Sequence, residues 1–581
     1  MTETQQATEP HHDPKDASRS KSAGAKASAI MAAGTMISRV LGFARTSLLA
    51  IAIGSTALVG DVFETANTIP NVIYMLLAGG VFNVVLVPQI IKQAKKPDRG
   101  ADYTSRLITL AAIIIGAFTI ALTLLAAPII QGLTLGWSDA KLALGTAFAL
   151  WTLPQIFFYG MYAVIGQVLN AHGRFGAYMW APVANNVIAI AFILFYIVMF
   201  GPYVAMPDSQ QFAEWTTTHT IVLAGGHTLG IIIQAVVLLW PLKRLGLGLR
   251  PKFGWKGMGL RHTGQLAGFT IITMMVGNIS NLMINRLVTG ATEARTALDD
   301  PFEKAAIPGL QALNVGQLIT VLPHSVFVLS IATVLFNHLS RAVHDNDLAT
   351  VKRTTNSGLR TFAIPMMISV AGIIVLAPTI ARLFASTDTT AIVSAHAIAQ
   401  ILLLLALGMP LRSAHFYLLR VFYASENALI PMIVQVGAAA LSLSLSYGIA
   451  PFVPMESLAH LIALIFTGVH VFQLALTHIL VKRHFGDYGT KAVLATYIRS
   501  GWAAVVAGVF GVALLYPMGG YSGGWAMSSI PNAAIACAIV GTVMVAVYLV
   551  ACRIFEVTEL NEFTAPVTNR LRRSTKTNAH R

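Results

Sequence analysis

The sequence predicts an all-α, polytopic membrane protein with fourteen transmembrane helices. Of its 581 residues, 55% are hydrophobic and only 11% are charged, against roughly 25% charged in an average soluble domain. Apolar runs such as residues 107–130 exceed the ~20 residues that a helix needs to cross about 30 Å of hydrocarbon. A third observation is that Lys and Arg are concentrated on alternate connections between these runs.

The predicted spans follow one another with short connections. The second contains Pro70, Gly79 and Gly80, and the tenth contains Pro410. We expect both to break or bend, because proline removes an intrahelical hydrogen-bond donor. In chain order, the spans are predicted at residues 28–53, 62–91, 107–132, 142–166, 177–201, 219–242, 263–288, 310–336, 358–384, 392–423, 428–451, 457–481, 496–516 and 531–553.

Both ends of the chain are predicted to be polar tails. Residues 1–26 are rich in Ala, Ser and charged residues. They cannot bury enough apolar surface to offset the entropy of ordering, so we expect them to be disordered. This long polar lead also argues against a cleavable signal peptide. Residues 556–581 form a second, basic tail.

The distribution of basic residues predicts the orientation in the membrane. Lys and Arg cluster in both tails and after spans two, six, eight and twelve. Residues 202–218 and 517–530, on intervening connections, carry neither Lys nor Arg. Basic connections remain in the cytoplasm. With fourteen spans, both termini are therefore predicted to be cytoplasmic.

Several function classes are disfavoured by composition and motifs. The net charge of +15 is spread over loops that flank the spans, so we expect membrane lipids as partners and no nucleic acid. Two cysteines, Cys537 and Cys552, argue against a disulfide framework or a Cys-based metal site. No Walker loop, HExxH or GxSxG motif is found. The sequence thus predicts no enzyme, no cofactor and no metal site.

Charged side chains inside the spans are the candidate functional residues, because a charge at mid-bilayer costs about 2.5–3.5 kcal/mol. Arg45 and Arg286 lie nearer a span end, where a long side chain can also reach the interface. Asp61 is expected to cap a helix or to pair with an arginine of span one, and Asn186 to bond another helix or line a cavity. The candidates are Arg39, Arg45, Asp61, Asn186, Arg286 and Arg412.

The buried arginines outnumber the buried acids. We therefore expect the missing negative charge to arrive with a ligand. Guanidinium groups bind phosphate through paired, charge-assisted hydrogen bonds. The sequence thus predicts an anionic, phosphorylated substrate that crosses the membrane without nucleotide-driven pumping.

Four segments and the position of Asp61 carry a resemblance to a known family. "SRVLGFART" (38–46) is followed by Asp61, nine residues before Pro70, and by "GGVFNVVLVP" (79–88). Later segments are "LNAHGRFGAYMWAPVANNVIAI" (169–190) and "LPHSVFVLSIATVLFNHLSRA" (322–342). Over about residues 27–480, the chain resembles the MurJ/MviN family of lipid II flippases in the multidrug/oligosaccharidyl-lipid/polysaccharide exporter superfamily.

The resemblance implies a specific activity in the bacterial cytoplasmic (inner) membrane. The substrate would be lipid II, an undecaprenyl-pyrophosphate-linked muropeptide, moved from the inner to the outer leaflet. Two six-helix lobes, at residues 27–245 and 246–490, would alternate around a cationic central cavity. The two extra helices, in residues 491–555, would form a groove for the lipid tail. Arg39, Arg45 and Asp61 fall on cavity positions of the family.

The chain departs from the family pattern at four charged positions. Tyr74 and Met75 replace a basic pair, Gly79 replaces an acid, and Leu318 replaces an arginine five residues before a proline. Arg286 and Arg412 are candidates to compensate for these losses. No acid lies inside spans seven, eleven or twelve, which argues against the sodium site of some relatives.

Alternative functions remain open at this point. One is export of another polyprenyl-linked glycan. Export of a cationic drug is disfavoured, because such a cavity should be lined by acids. A third is a non-transporting scaffold that binds proteins of cell-wall synthesis or division.

Overall fold

The structure is a computed structural model that describes residues 14–76, 87–254 and 260–560. Its account excludes the side chains of residues 14–32, 87–88, 175 and 260–267. These described residues contain helices and no strand, which confirms the predicted all-α class.

The first half of the chain builds spans one to six, the N-lobe. Several spans are interrupted: span three is broken at Leu125 and span four at residues 153–154. The helices are Pro14–Ile53, Leu58–Met75, Val87–Ala94, Ala101–Leu124, Ala126–Leu133, Asp139–Thr152, Gln155–Ala171, Phe175–Phe200, Asp208–Glu214, Thr217–Thr220, Gly226–Val236 and Leu239–Lys243, with a π-helical turn at Ile221–Gly225.

The second half builds spans seven to twelve, the C-lobe, and then the extra pair. The C-lobe helices are Leu260–Thr296, Pro301–Ala306, Leu310–Pro323, Leu329–His344, Leu348–Arg382, Ala391–Ala406, Met409–Ala424, Leu429–Ile449 and Leu458–Phe485, with a π-helical turn at His324–Val328. Two 3₁₀ turns, Ala450–Phe452 and Met455–Ser457, join spans eleven and twelve. The extra pair is Thr490–Leu515 and Ile530–Ile554, with Trp525–Ser528 between them.

Side chains mark the start of several helices. Asp347 accepts a hydrogen bond from the Thr350 backbone N–H at 2.9 Å and caps span nine. The hydrogen bonds that Thr350 donates hold the pKa of the Asp347 carboxyl below its usual value. Ser529 caps span fourteen in the same way, with Pro531 in the first turn.

The count of fourteen spans stays a prediction. Among the described residues, twelve helices are long and apolar enough to cross a membrane, or thirteen with the bent pair of span ten. The remaining predicted span, residues 62–91, includes Gly79 and Gly80, which lie outside the described residues. The described residues on the two sides of this gap lead to opposite ends of the bundle. Leu58 begins beside the loop at 54–57, whereas Arg99 contacts His172 and Leu245 at the opposite end.

Span ten bends as predicted, by 41° between Ala406 and Met409. The bend precedes Pro410, which lies in the first turn of the second helix, where a missing N–H costs nothing.

One predicted tail is shorter than expected. Residues 14–26 form the start of a single helix, Pro14–Ile53, although the sequence predicts disorder for residues 1–26. Ala, Lys and Arg are good helix formers and Pro14 stands at the helix start. A segment that buries little apolar area can still be helical when it continues the helix of an adjoining span.

Each lobe has its own buried core. The N-lobe core draws its buried members from Leu49 to Leu247, whereas three clusters fill the C-lobe. A further cluster joins the extra pair to span nine. There Tyr548 donates a hydrogen bond to the Ile364 carbonyl, and the Arg382 Nε atom donates one to the Met527 carbonyl. The extra pair therefore packs on the C-lobe.

Prolines inside spans free carbonyl groups, and neighbouring side chains bond to them. Pro70 cannot donate to the carbonyl of Ala66, which instead accepts from the Thr152 hydroxyl at 3.0 Å. Pro182 likewise frees the Tyr178 carbonyl, which accepts from the Tyr162 hydroxyl at 3.1 Å. Because lipid cannot satisfy a backbone carbonyl, these bonds allow the helices to continue through proline.

Candidate functional site

Contacts between the lobes cluster at one end of the bundle, which we call the shared rim. Its connections are residues 54–57, 134–138, 201–216, 297–309 and 383–390. The opposite end carries residues 95–100 and 244–254, which are rich in Lys and Arg, and the short connections 345–347 and 486–489, whose flanking helix ends are basic.

Asp61 is the centre of the rim. It is fully buried, with 0% of its side chain exposed, and pairs with the guanidinium of Arg295 at 2.8 Å. The Thr292 hydroxyl donates to the same carboxylate oxygen at 2.8 Å, and the Gln311 backbone N–H donates to the other at 2.9 Å. Since Gln311 lies in the first turn of span eight, Asp61 neutralises one cation and caps one helix of the C-lobe.

Two alternatives were expected for Asp61, a helix cap and a pair with an arginine of span one. Asp61 does accept from the first turn of a helix, that of span eight, whereas the expected ion-pair partner was wrong, because the arginine comes from the end of span seven in the other lobe. Arg295 also donates from its Nε atom to the Ile307 carbonyl at 2.9 Å. No spacing in the sequence relates Asp61 to Arg295, because tertiary packing brings them together.

The backbone at this point is packed closely enough to require glycine. A Cβ atom added at Gly309 would lie 1.9 Å from an Asp61 carboxylate oxygen. One added at Gly60 would lie 2.0 Å from the Gln311 side-chain oxygen. Real Cβ atoms do not approach so closely. A larger residue at Gly309 would displace the Asp61 carboxylate, and one at Gly60 would displace the Gln311 side chain and collide with the Gly54 carbonyl.

Further contacts extend the rim on both sides of Asp61. Lys141 is completely buried and pairs with Glu293 at 2.6 Å. Lys304 pairs with Asp208 at 3.1 Å. Additional hydrogen bonds join Thr56 to Ser394, the Ala205 N–H to Asp388, the Trp137 indole to the Thr289 carbonyl, and Ser47 to the Leu383 carbonyl.

Arg286 belongs to this rim. Its Nε atom donates to the Thr134 carbonyl at 3.2 Å. Thr134 follows the last helical residue of span three, so Arg286 bonds a carbonyl at a helix C-terminus, where a cation is favoured. The structure thus gives this candidate a contact between lobes.

Arg39 and Arg45 lie deeper, on span one, and both are half-buried. Arg39 donates a hydrogen bond to the Ser325 hydroxyl of span eight, across the two lobes. Arg45 is close enough to Glu64 to act on it electrostatically. Glu64 also accepts from the Asn314 amide of span eight at 2.9 Å. Span eight therefore meets span one directly through Arg39, and Glu64 of span two through Asn314.

Arg412 lines a cavity inside the C-lobe. Its Nη2 atom donates to the Thr320 carbonyl at 3.1 Å. That carbonyl lacks its usual α-helical donor, because the His324 N–H bonds Val321 at the start of the π-helical turn. The Arg412 Nε atom is buried with no hydrogen-bond partner among the described residues.

Asn186 has a partner within the N-lobe. Its side-chain nitrogen donates to the Ser38 carbonyl at 2.8 Å and reaches the Ser38 hydroxyl at 3.2 Å. It holds span five against span one, one residue before Arg39. This geometry fits the interhelical alternative and gives Asn186 a positioning part beside Arg39.

Sequence reasoning missed the two buried basic residues that form ion pairs at the rim. Arg295 and Lys141 stand near Glu293, Asp299 and Asp139 at span ends, where a solvated loop charge is the ordinary expectation. An available signal was their side of the membrane, since basic residues are scarce on the connections that form the rim.

The departures from the family pattern lie in different surroundings. Tyr74 is stacked on Tyr159, with ring centroids 4.5 Å apart, so an aromatic contact replaces a charge. Leu318 is 37% exposed on span eight. Gly79 lies outside the described residues. In the described part of the chain, no group of three or more His, Cys, Asp or Glu side chains could hold a metal ion.

An apolar groove runs between span nine and span thirteen. It encloses about 1220 Å³, including space open to the surroundings. Small residues in its lining leave this space open, among them Ala371, Gly501, Ala504 and Gly508. A Cβ added at Gly501 would meet nothing within 4 Å. The apolar lining of the groove suits an alkyl chain.

Comparison with known proteins agrees with this architecture. A protein described as "Probable lipid II flippase MurJ" from Vibrio cholerae is 27% identical over 365 residues, which are 61% of this chain and 63% of that protein. Its counterpart from Haemophilus influenzae is 29% identical over 267 residues, 44% of this chain and 48% of that protein. The chain thus matches less than two thirds of either relative.

A solved structure shows the same fold. "Lipid II flippase MurJ, inward closed conformation" superposes with a TM-score of 0.66 at 19% identity, over 90% of this chain and 98% of that one. The sequence model of the family described as "Lipid II flippase MurJ" matches residues 49–535. Since that match covers most of the chain, this protein belongs to the MurJ family.

Proposed function

We propose that this protein translocates lipid II from the inner to the outer leaflet of the bacterial cytoplasmic membrane by alternating access. The observation that carries the proposal is a surplus of guanidinium groups where the lobes meet. Asp61 is already paired with Arg295. Glu64, which lies close enough to act on Arg45, is one carboxylate against the two guanidinium groups of Arg39 and Arg45. A pyrophosphate supplies the negative charge that such a site lacks.

Two structural features support alternating access. The lobes have separate cores, so each can move as a body. Their contacts cluster at the shared rim, which therefore closes one side of the protein. Opening requires the loss of the Asp61–Arg295 pair and its neighbours, and closing the opposite end would expose Arg39 to the other side.

The groove on the extra pair supports a lipid-linked substrate. A polyprenyl chain cannot enter a cationic cavity at low cost, and the apolar wall of spans nine and thirteen offers it a separate place. The head group would cross between the lobes while the tail stays in contact with the membrane.

Orientation follows from the basic connections. We infer that the end carrying the basic residues of 95–100 and 244–254 faces the cytoplasm, together with both termini. The shared rim then faces the outer surface, and the described conformation is closed to the outside. Membrane lipids and lipid II are the proposed partners, and docking of cell-wall synthesis or division proteins on the tails stays a prediction.

The test is lipid II translocation by purified protein in liposomes. Arg39→Ala should lower the rate at least tenfold, because it removes a cation from the proposed head-group site. Arg341→Ala, an exposed arginine at the end of span eight, is the matched control and should flip at the wild-type rate. Normal flipping by correctly inserted Arg39→Ala would overturn the assigned role. Failure of the wild type to flip, with lipid II bound, would favour a scaffold.

A further inference from the structure

The C-lobe contains a polar cavity separate from the interface between the lobes. It lies between spans seven, eight, ten and twelve and measures about 620 Å³, including its open part. Its polar lining is Asn281, Gln317, Thr320, Arg412, Thr467 and His470, with no carboxylate among the lining residues. A site of this size suits a small ligand.

Arg412 is the charge around which the cavity is built. Within the described residues it has no carboxylate partner at ion-pair distance, and its one hydrogen bond goes to the Thr320 carbonyl. The Nε donor remains buried and unsatisfied. A guanidinium does not lose its proton, so the charge itself must be compensated. An anion in the cavity would meet both needs.

The other lining groups suit an oxyanion. Asn281 and Gln317 place side-chain amides on the wall, and each amide can donate two hydrogen bonds. His470 is held by Gln473 at 2.9 Å, which fixes its ring beside Arg412. A cation would meet Arg412 with no acid to offset the repulsion.

The cavity is distinct from the Arg39 site, although span eight serves both. Thr320 contacts Arg412, whereas Ser325 contacts Arg39. The intervening His324 bonds Ser413, the neighbour of Arg412, at 3.0 Å. Arg39 therefore contacts the π-helical turn itself, whereas Arg412 contacts the α-helix that precedes it.

We propose that this C-lobe cavity is an anion-binding site centred on Arg412, which takes a phosphoryl group. The proposal does not depend on lipid II transport, since a free phosphate ion and a lipid pyrophosphate share the chemistry that the cavity recognises. A C-lobe cavity lined by carboxylates would bind a cation. This cavity has no carboxylate in its lining, and we assign an anion to it.

Binding to the full-length protein in nanodiscs tests the proposal. Inorganic phosphate and pyrophosphate are titrated at constant ionic strength against chloride, with the affinity measured by calorimetry. Arg412→Gln should weaken phosphate or pyrophosphate binding about tenfold or more. Arg420→Gln is the matched control, because Arg420 lies on the same helix and stacks on Phe416 instead. Its affinity should equal that of the wild type.

A second pair of variants separates this cavity from the Arg39 site. Arg39→Gln should retain the Arg412-dependent binding, and Arg412→Lys should retain it at reduced affinity, because charge remains while the Nε donor is lost. Should Arg412→Gln fail to fold, Arg412→Lys still gives a measurable affinity. Unchanged affinity in both Arg412 variants, or complete loss in Arg39→Gln, would overturn the proposal.

The source of the phosphoryl group is read from the same titrations. Binding of inorganic phosphate in the absence of lipid pyrophosphate assigns the cavity to a free ion. Binding of undecaprenyl pyrophosphate alone, lost in Arg412→Gln, assigns it to the lipid head group. Failure of lipid II flipping with intact phosphate binding would count against the transport proposal and leave this one standing.

Discussion

Buried charges in this protein are held by groups from distant parts of the chain. Asp61 receives an arginine, a hydroxyl and a backbone N–H, all from spans seven and eight or the connection between them. Burying an ion pair gives little net stability, whereas removing one partner leaves an expensive charge behind. The pair therefore acts as a specific lock between two lobes.

The Asp61–Arg295 pair can be tested by a double-mutant cycle. Asp61→Asn or Arg295→Gln alone should destabilise the purified protein by about 3–5 kcal/mol, because each leaves one buried charge unpaired. The double variant removes both charges and should cost less than the sum of the two. Thermal or denaturant unfolding in detergent provides the measurement.

The cycle has an internal comparison in Lys304 and Asp208. That pair lies at the same rim with 12% and 13% of the side chains exposed, so its coupling should be smaller. Additive effects for Asp61 and Arg295 would contradict the lock.

The sequence identified the unusual charged residues of the spans better than it identified the side chains and carbonyls that they bond to. Arg39 and Arg412 stand far from span ends, so hydropathy alone marks them as unusual. The contact of Arg39 with Ser325 and that of Arg412 with Thr320 depend on helix packing and on a π-helical turn, which local sequence does not specify. The burial of Arg295 was not predicted, because the acidic residues near it in the sequence are typical of a solvent-exposed loop.

Among the helices, proline determines which side chains form bonds between neighbours. Pro70 and Pro182 each free the carbonyl four residues earlier, and Thr152 and Tyr162 bond to these carbonyls. An unsatisfied backbone carbonyl in lipid costs several kcal/mol. The hydroxyl that donates to the freed carbonyl is therefore needed for the stability of a span that contains a proline.

This dependence gives a reciprocal prediction. Thr152→Val should destabilise the protein by about 1–3 kcal/mol, because the Ala66 carbonyl loses its donor. Adding Pro70→Ala restores the intrahelical donor and should recover most of that loss. Thermal unfolding of the four proteins measures the effect.

Thr146→Val is the control on the same helix. The Thr146 hydroxyl bonds the Leu142 carbonyl, which belongs to its own helix and keeps a backbone donor. We expect a change within about 0.5 kcal/mol. An equal loss in Thr146→Val and Thr152→Val, or no recovery with Pro70→Ala, would contradict the compensation.

Hydropathy predicted most of the spans because a membrane helix must be apolar over a fixed length. The bend in span ten was also predictable, since Pro410 marks it. The breaks at Leu125 and residues 153–154 and the π-helical turn at His324–Val328 were not predicted, although Pro128, Pro154 and Pro323 stand beside them. No proline marks the π-helical turn at Ile221–Gly225. The helical start at residues 14–26 shows that a polar segment can continue an adjoining helix.

The whole molecule is asymmetric about the membrane plane in its contacts between lobes. Ion pairs and hydrogen bonds join the lobes at the shared rim, whereas the basic connections occupy the other end. Repulsion among those connections favours separation there. The described ion pairs and hydrogen bonds thus hold the lobes together at the shared rim, and like charges repel one another at the other end.

A covalent bond across the rim should stop the transport cycle. The hydroxyls of Thr56 and Ser394 lie 2.7 Å apart, a separation that suits a disulfide after replacement by cysteine. In a background without Cys537 and Cys552, oxidised Thr56→Cys/Ser394→Cys should lose lipid II flipping and regain it on reduction. Each single-cysteine variant should flip in either redox state. Full activity of the cross-linked protein would show that the rim need not open.

The clustering of contacts at the rim also bears on leak. An empty carrier that readily opened both ends would let small ions and precursor flow backward through its arginine-lined passage. In the proposed cycle the shared rim is the exit, and the buried Asp61–Arg295 pair closes it. We therefore expect release to require that this pair be broken. In the proposed cycle, the protein without substrate is therefore already closed on the side of the shared rim.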